Sequence, residues 1–274
     1  MRLKHFLPVF FTACVIFYFI YSGIVEKQGY YIPRNAQINL APILSKSRLE
    51  EADYKLIYEQ TGIAKPIVAE LKNSPGFEKK MLGFQRSYLS SQIIGTTNIN
   101  FFTKEDVLQD KETHVISGFE LAPYNNGYIF LTKSTYTMSW RHGHAGIVID
   151  SKRGKVLEAL SPGTFSMEQD ADKWRYYPTF KMMRLKDVDQ SQLDEIAFYA
   201  SSTLRDIPYN IFAVKNQGQA PYITHCSLLV WQAFKPFGFD LDATKGFLVS
   251  PQDLSSSPLL ETLQIFGFNP DKDW

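Results

Sequence analysis

Cysteine is nearly absent: the 274 residues hold two, Cys14 and Cys226. Cys14 lies in an apolar N-terminal run, so Cys226 has no partner in the rest of the chain, and a disulfide scaffold is excluded. An excess of one charge is also missing. The 29 Lys and Arg against 28 Asp and Glu leave a formal net charge of +1, which gives no electrostatic reason to expect nucleic acid or an acidic polymer as partner. Histidine is scarce, at five, and there is no internal repeat, low-complexity tract or charge block. What is present is an ordinary globular composition, 45% hydrophobic and 15% aromatic, enough for one large or two small domains. Most of the aromatic residues are expected in the core.

The longest apolar run covers residues 6–25 and follows Arg2 and Lys4. A helix of that length rises roughly 30 Å, the thickness of a bilayer core. Tyr21, Ser22 and Gly23 make a poor signal-peptidase site. Residues 1–25 are therefore expected to form an uncleaved signal-anchor helix, a single transmembrane pass. Its basic flank places the rest of the chain on the extracytoplasmic side of the cell membrane. An unpaired thiol there is a liability unless it is buried or used, which makes Cys226 a candidate nucleophile, with a buried inert cysteine as the alternative.

Residues 26–45 carry Pro33 and Pro42 without periodicity and read as a linker. Residues 46–98 read as a small helical subdomain. Ser47 and Glu50 have capping-box spacing, Gly62 suits a C-terminal cap, Pro66 can open a second helix, and a third is predicted over 77–89. From residue 99 to 274 the pattern turns to short β-rich pieces, among them 128–132, 144–149 and 156–159. Leu193, Ile196, Ala197, Ala200 and Leu204 mark an amphipathic helix, and 227–234 a buried one. This order predicts an α+β class.

Cys226 immediately precedes the predicted buried helix. The free N–H groups and positive dipole end of a helix start favour thiolate over thiol and can hold an oxyanion. His144 heads the strand Ala145-Gly146-Ile147-Val148-Ile149, where a neutral imidazole can take the thiol proton and deliver it to a leaving amine. Residues 150–154 are turn chemistry, so 155–159 returns beside that strand. With all five turn residues in the loop, Gly146 opposes Glu158, and Glu158 becomes the diagonal neighbour of His144, about 7–8 Å away by backbone spacing. A slip of one residue would turn Glu158 to the other face. In the unslipped register the carboxylate would orient the imidazole and stabilise imidazolium. His142, His144 and Cys226 could be drawn as zinc ligands, but they lack paired ligand spacing, so no metal or other cofactor is expected. His225 reads as a helix-start residue rather than a base.

Four motifs stand out: His-Ala-Gly-Ile-Val at 144–148, Leu-Glu-Ala at 157–159, Pro-Tyr-Asn at 208–210 and His-Cys-Ser at 225–227. Together they resemble the circularly permuted branch of the NlpC-type papain-like cysteine hydrolases, the YiiX-like group, over roughly residues 127–254. In ordinary members the cysteine helix precedes the histidine strand, whereas here histidine comes first. The resemblance implies a permuted papain-like α+β fold in which Cys226 is the nucleophile, His144 the base and Glu158 the orienting group, with Tyr209 and Ser227 beside the substrate. Relatives often carry Gly-Asp where this chain has Gly127-Tyr128, and Glu where it has Leu228, so their substrate contacts do not transfer. The expected activity is cleavage of an amide or related acyl bond, acting in the cell envelope on wall-derived peptides or similar amides. A thiol acyltransferase or lipid-directed hydrolase, and a non-catalytic binding module, are the alternatives.

Overall fold

Two antiparallel sheets organise the chain in the computed structural model, which describes residues 10–17, 30–138, 140–217 and 220–274. The smaller sheet has the order β1 (Gln92–Asn98), β2 (Thr103–Asp110), β4 (Thr135–Thr137), β5 (Trp140–Arg141). The larger runs β10 (Leu260–Phe266), β9 (Phe180–Leu185), β3 (Ile129–Thr132), β6 (His144–Asp150), β7 (Lys155–Glu158), β8 (Met167–Asp170). The result is a mixed α/β architecture.

The expected transmembrane helix is corrected here. Residues 10–17 are helical (α1). No helix among the described residues is long and apolar enough to cross a membrane. The remainder of that run, residues 6–9 and 18–25, lies outside the described residues.

Residues 30–45 are not a free linker. The short helix α2 (Ala41–Leu44) and its flank bury Leu40 and Leu44 in the common core. The Tyr31 N–H donates to the Gly267 carbonyl at 2.9 Å, and the Tyr30 hydroxyl donates to Asp106. Three helices follow as the sequence pattern suggests: α3 (Glu51–Thr61), α4 (Lys65–Leu71) and α5 (Phe77–Leu89). The N-terminal cap of α3 sits three residues later than Ser47, with the Asp53 carboxylate accepting the Glu50 N–H at 2.9 Å. Sheet structure begins at Gln92, inside the segment read as helical.

Gly62 ends α3 in a left-handed conformation, φ 70°. There the chain runs along β10: Ile265 N–H donates to Gly62 O at 2.8 Å and Ala64 N–H to Leu263 O at 2.9 Å. A Cβ at Gly62 would lie 2.1 Å from the Ile265 carbonyl oxygen, so only glycine permits this approach. The contact covers the outer edge of β10 that would otherwise be open to pairing.

Helices α6 (Gln190–Thr203) and α7 (Cys226–Phe234) pack on β6. All nine residues of α7 are buried, and each large apolar side chain so placed contributes about 1.5–3 kcal/mol. That burial locks the start of α7 against β6, the strand that His144 begins.

Candidate active site

The β6–β7 hairpin sets the first relationship. Its register pairs Gly146 with Glu158, Ile147 with Leu157 and Val148 with Val156. The turn is one residue shorter than the pattern suggests, since Asp150 already pairs with Lys155, but Ile149 is bulged out and the register is kept. Glu158 therefore shares a face with His144, and the His144 Nε2–H donates to Glu158 Oε2 at 2.8 Å. With Nε2 committed to the carboxylate, Nδ1 is the ring nitrogen left for a second partner.

That partner is Cys226, the first residue of α7. The thiol and the imidazole act on each other's ionisation, each favouring the charged form of the other. All three side chains are sequestered: Cys226 is 4% exposed, His144 1% and Glu158 0%. Burial alone drives the His144 imidazole down, but the hydrogen bonds to Cys226 and Glu158 and the charge of both raise it to about 9. For Cys226 burial pushes the thiol up, and the hydrogen bonds and charge of His144 and His225 overcome it, holding the thiol well below its ordinary value. The arrangement favours a thiolate–imidazolium pair.

Glu158 is held by more than the histidine. Trp174 Nε1–H donates to its other oxygen, Oε1, at 2.8 Å, and Lys173 Nζ lies 2.6 Å from Oε2. Burial raises the carboxyl, and the nearby Lys173 charge, followed by His144, brings it below the usual carboxylate range. Lys173 and His144 thus meet the same carboxylate oxygen of Glu158, and with the thiol ionised the charges of Lys173, Glu158, His144 and Cys226 cancel. Lys173 and Trp174 belong to a 3-10 turn, Ala171–Tyr176, that follows β8. The same indole stacks on His144, with ring centroids 5.3 Å apart and planes 13° from parallel.

Cys226 lines a cleft of about 260 Å³. Trp140, Arg141 and His142 form one wall, Tyr209 and Ile211 another, and the segment 248–252 with Trp274 the rest. Tyr209 is partly buried, and burial together with the nearby Cys226 charge pushes its phenol up. Ser227 also lines the cleft, and its hydroxyl donates to the Val249 carbonyl at 2.7 Å, which ties α7 to that segment. Arg141, the cation in the wall, is paired with Asp106 at 2.8 Å. His142 is fixed between Thr137 Oγ1 at 2.9 Å and its neighbour's carbonyl, Gly143 O, at 2.6 Å. His225 caps α7, accepting the Leu228 N–H on Nδ1 at 3.4 Å. Among the described residues no group of three or more His, Cys, Asp or Glu is placed to hold a metal ion.

No family model matches the chain, and no solved structure matches it. It is 31% identical over 139 residues to the uncharacterized protein YycO of Bacillus subtilis (strain 168). That match covers 50% of this chain and 54% of the relative, so the chain spans about half of that protein's length.

Lys173 and Trp174 are the neighbours of Glu158 and His144 that the sequence pattern does not disclose. They lie in a turn without strand or helix period, and they meet Glu158 only because β7 and β8 pair back to back. A tryptophan followed by Arg and two tyrosines reads as surface or core equally well.

Proposed function

We propose that this protein is a thiol hydrolase that cleaves an amide or related acyl bond, with Cys226 as nucleophile, His144 as acid and base, and Glu158 as the group that orients His144. The observation that carries this reading is the buried grouping of Cys226, His144 and Glu158, in which the imidazole meets the carboxylate at 2.8 Å and acts on the ionisation of the thiol, with Cys226 lining an open cleft. The motif resemblance to the permuted NlpC-type hydrolases points the same way.

The Cys226 thiolate attacks the substrate carbonyl carbon, and the carbonyl oxygen takes up the negative charge. Cys226 and Ser227 are the first residues of α7, whose backbone N–H groups have no carbonyl one turn earlier in the helix, so they can receive that oxyanion. The His144 imidazolium donates its Nδ1 proton to the leaving amine as the C–N bond breaks, giving a thioester on Cys226. Water then attacks the thioester, His144 takes the water proton, and the acid product leaves as Cys226 returns to thiolate. Throughout, Glu158 accepts from Nε2–H and balances the imidazolium charge.

A second reading has its own support. Trp140, Ile211, Leu248 and Trp274 make the cleft walls largely apolar, and Arg141 is already neutralised by Asp106. Such walls favour an uncharged, apolar acyl group, as in a lipid-directed hydrolase or acyltransferase. Incubation with wall-derived peptides and with acyl lipids, followed by mass spectrometry of the intact protein, tests both. The hydrolase reading expects an acyl adduct on Cys226 that is lost in Cys226→Ala, and the class of acyl donor that yields it decides between the readings. No adduct from either class would count against an acyl-enzyme route.

A further inference from the structure

The part of the cleft wall that Trp274 forms rests on a tie set away from the reacting groups. Lys181, on β9, is 3% exposed, and burial draws its ammonium down to about 8. A buried ammonium is costly unless its hydrogens are taken up. Lys181 meets two neutral oxygens, Ser255 Oγ at 2.9 Å and the Asp273 carbonyl at 2.5 Å, and the Ser255 hydroxyl donates to that same carbonyl. Ser255 ends the short helix α8 (Pro251–Ser255), whose first residues line the cleft. One buried side chain thus holds β9, α8 and the segment 268–274 together.

The indole next to this tie is fixed by packing as well. Phe268, 1% exposed, lies 5.4 Å from Trp274 between ring centroids. The Lys133 ammonium sits over both rings, 4.7 Å from the centre of Phe268 and 5.2 Å from that of Trp274, where the ring faces attract a cation. Trp274 also abuts Gly143, the residue between His142 and His144: a Cβ there would stand 3.1 Å from the indole Cζ2. The absence of a side chain at Gly143 lets the indole come this close to the start of β6.

Building on the thiol-hydrolase reading, we propose that Trp274 is a specificity-determining residue: the strap 268–274, tied at Lys181, holds its indole as a fixed wall beside the start of the His144 strand, so that the cleft takes a slim, unbranched acyl group and rejects a bulky one. Trp274 and Cys226 line one cleft of about 260 Å³, small enough that an acyl group on the sulfur lies within reach of the indole. A wall tied and packed in this way does not swing aside as an exposed side chain does, and volume forced against it is penalised.

Three alkylating reagents that share one reacting group test this in the full chain: iodoacetamide, its slim N-hexyl derivative and its bulky N-adamantyl derivative, each rate at Cys226 divided by that of a free thiol. The hexyl and adamantyl reagents are both apolar, so their ratio reads shape. Wild type is expected to discriminate against the adamantyl reagent by about tenfold or more, the scale on which a pocket wall sorts substrates. Trp274→Ala should erase most of that discrimination and Trp274→Phe part of it. Lys181→Met and Ser255→Ala, neither of which lines the cleft, should also erase part of it by loosening the strap, and melting of the same samples tells a loosened strap from an unfolded chain. Equal treatment of the two reagents by wild type, or discrimination that survives Trp274→Ala, would overturn the proposal. Discrimination untouched in both Lys181→Met and Ser255→Ala would overturn the role of the tie. A wild-type Cys226 that reacts with iodoacetamide no faster than a free thiol near neutral pH would remove the hydrolase reading, while the adamantyl-to-hexyl ratio would still decide whether Trp274 limits the cleft.

Discussion

The indole of Trp174 lies almost parallel to the imidazole of His144, 5.3 Å away between centroids, while its Nε1–H reaches Glu158 Oε1 at 2.8 Å. One side chain thus fixes the plane of the proposed base and holds the carboxylate that orients it. Trp174→Phe keeps an aromatic face and removes the donor. Loss of a hydrogen bond to a buried carboxylate should cost about 1.5–3 kcal/mol, with a further penalty for the smaller ring. Denaturant unfolding checks the stability, and kcat should fall with it. A variant as stable and as active as wild type would show that the indole only fills space.

Glu158→Gln retains the shape and one acceptor for the His144 Nε2–H but no longer balances imidazolium. The fold should persist, and turnover should drop by about 10²–10⁴-fold, the range of acid–base assistance. Circular dichroism and steady-state kinetics on the same preparation check this. Undiminished turnover would take Glu158 out of the proposed site.

Much of this arrangement was legible in the residues because it depends on hairpin arithmetic and helix punctuation. A turn at 150–154 between two apolar strands gives the Gly146–Glu158 pairing, and an apolar helix that begins at a cysteine places the sulfur at free N–H groups. The helices at 51–61, 65–71 and 77–89 likewise follow from period and punctuation. Other features are tertiary. Lys173 and Trp174 come from an aperiodic turn, Leu40 and Leu44 bury a stretch that composition reads as linker, and β1 is half-exposed with little apolar alternation. The apolar run at 6–25 suggests a bilayer span by its length, and no helix among the described residues is long and apolar enough for one.

Gly146 is the point where hairpin and site depend on each other. A Cβ there would lie 2.6 Å from Val156 Cγ1, 3.0 Å from Glu158 Cγ and 3.1 Å from Trp174 Cζ2. Gly146→Ala should therefore destabilise by about 1–3 kcal/mol through overpacking. By displacing Glu158 and Trp174 it should also lower kcat more than it raises KM. A loss confined to KM would place the effect in substrate binding and contradict the second part.

The pH dependence follows from two shifts of opposite sign. Below the acid limb Cys226 regains its proton and the nucleophile is lost; above the alkaline limb His144 gives up the proton needed by the leaving group. With His144 raised to about 9 and Cys226 held well below its ordinary value, kcat/KM should be bell-shaped with its alkaline limb near 9. An alkaline limb at the ordinary imidazole value of 6.5 would contradict this.

The account rests on Cys226 and His144 acting as one unit, and the rate of Cys226 alkylation against pH, compared between wild type and His144→Ala, tests that most directly. The wild-type sulfur should react well below the pH at which a free thiol does, because the imidazolium stabilises the thiolate. In His144→Ala the curve should move to higher pH while the protein stays folded. Two superimposable curves would mean that the thiol and the imidazole are not coupled, and would contradict the proposed mechanism.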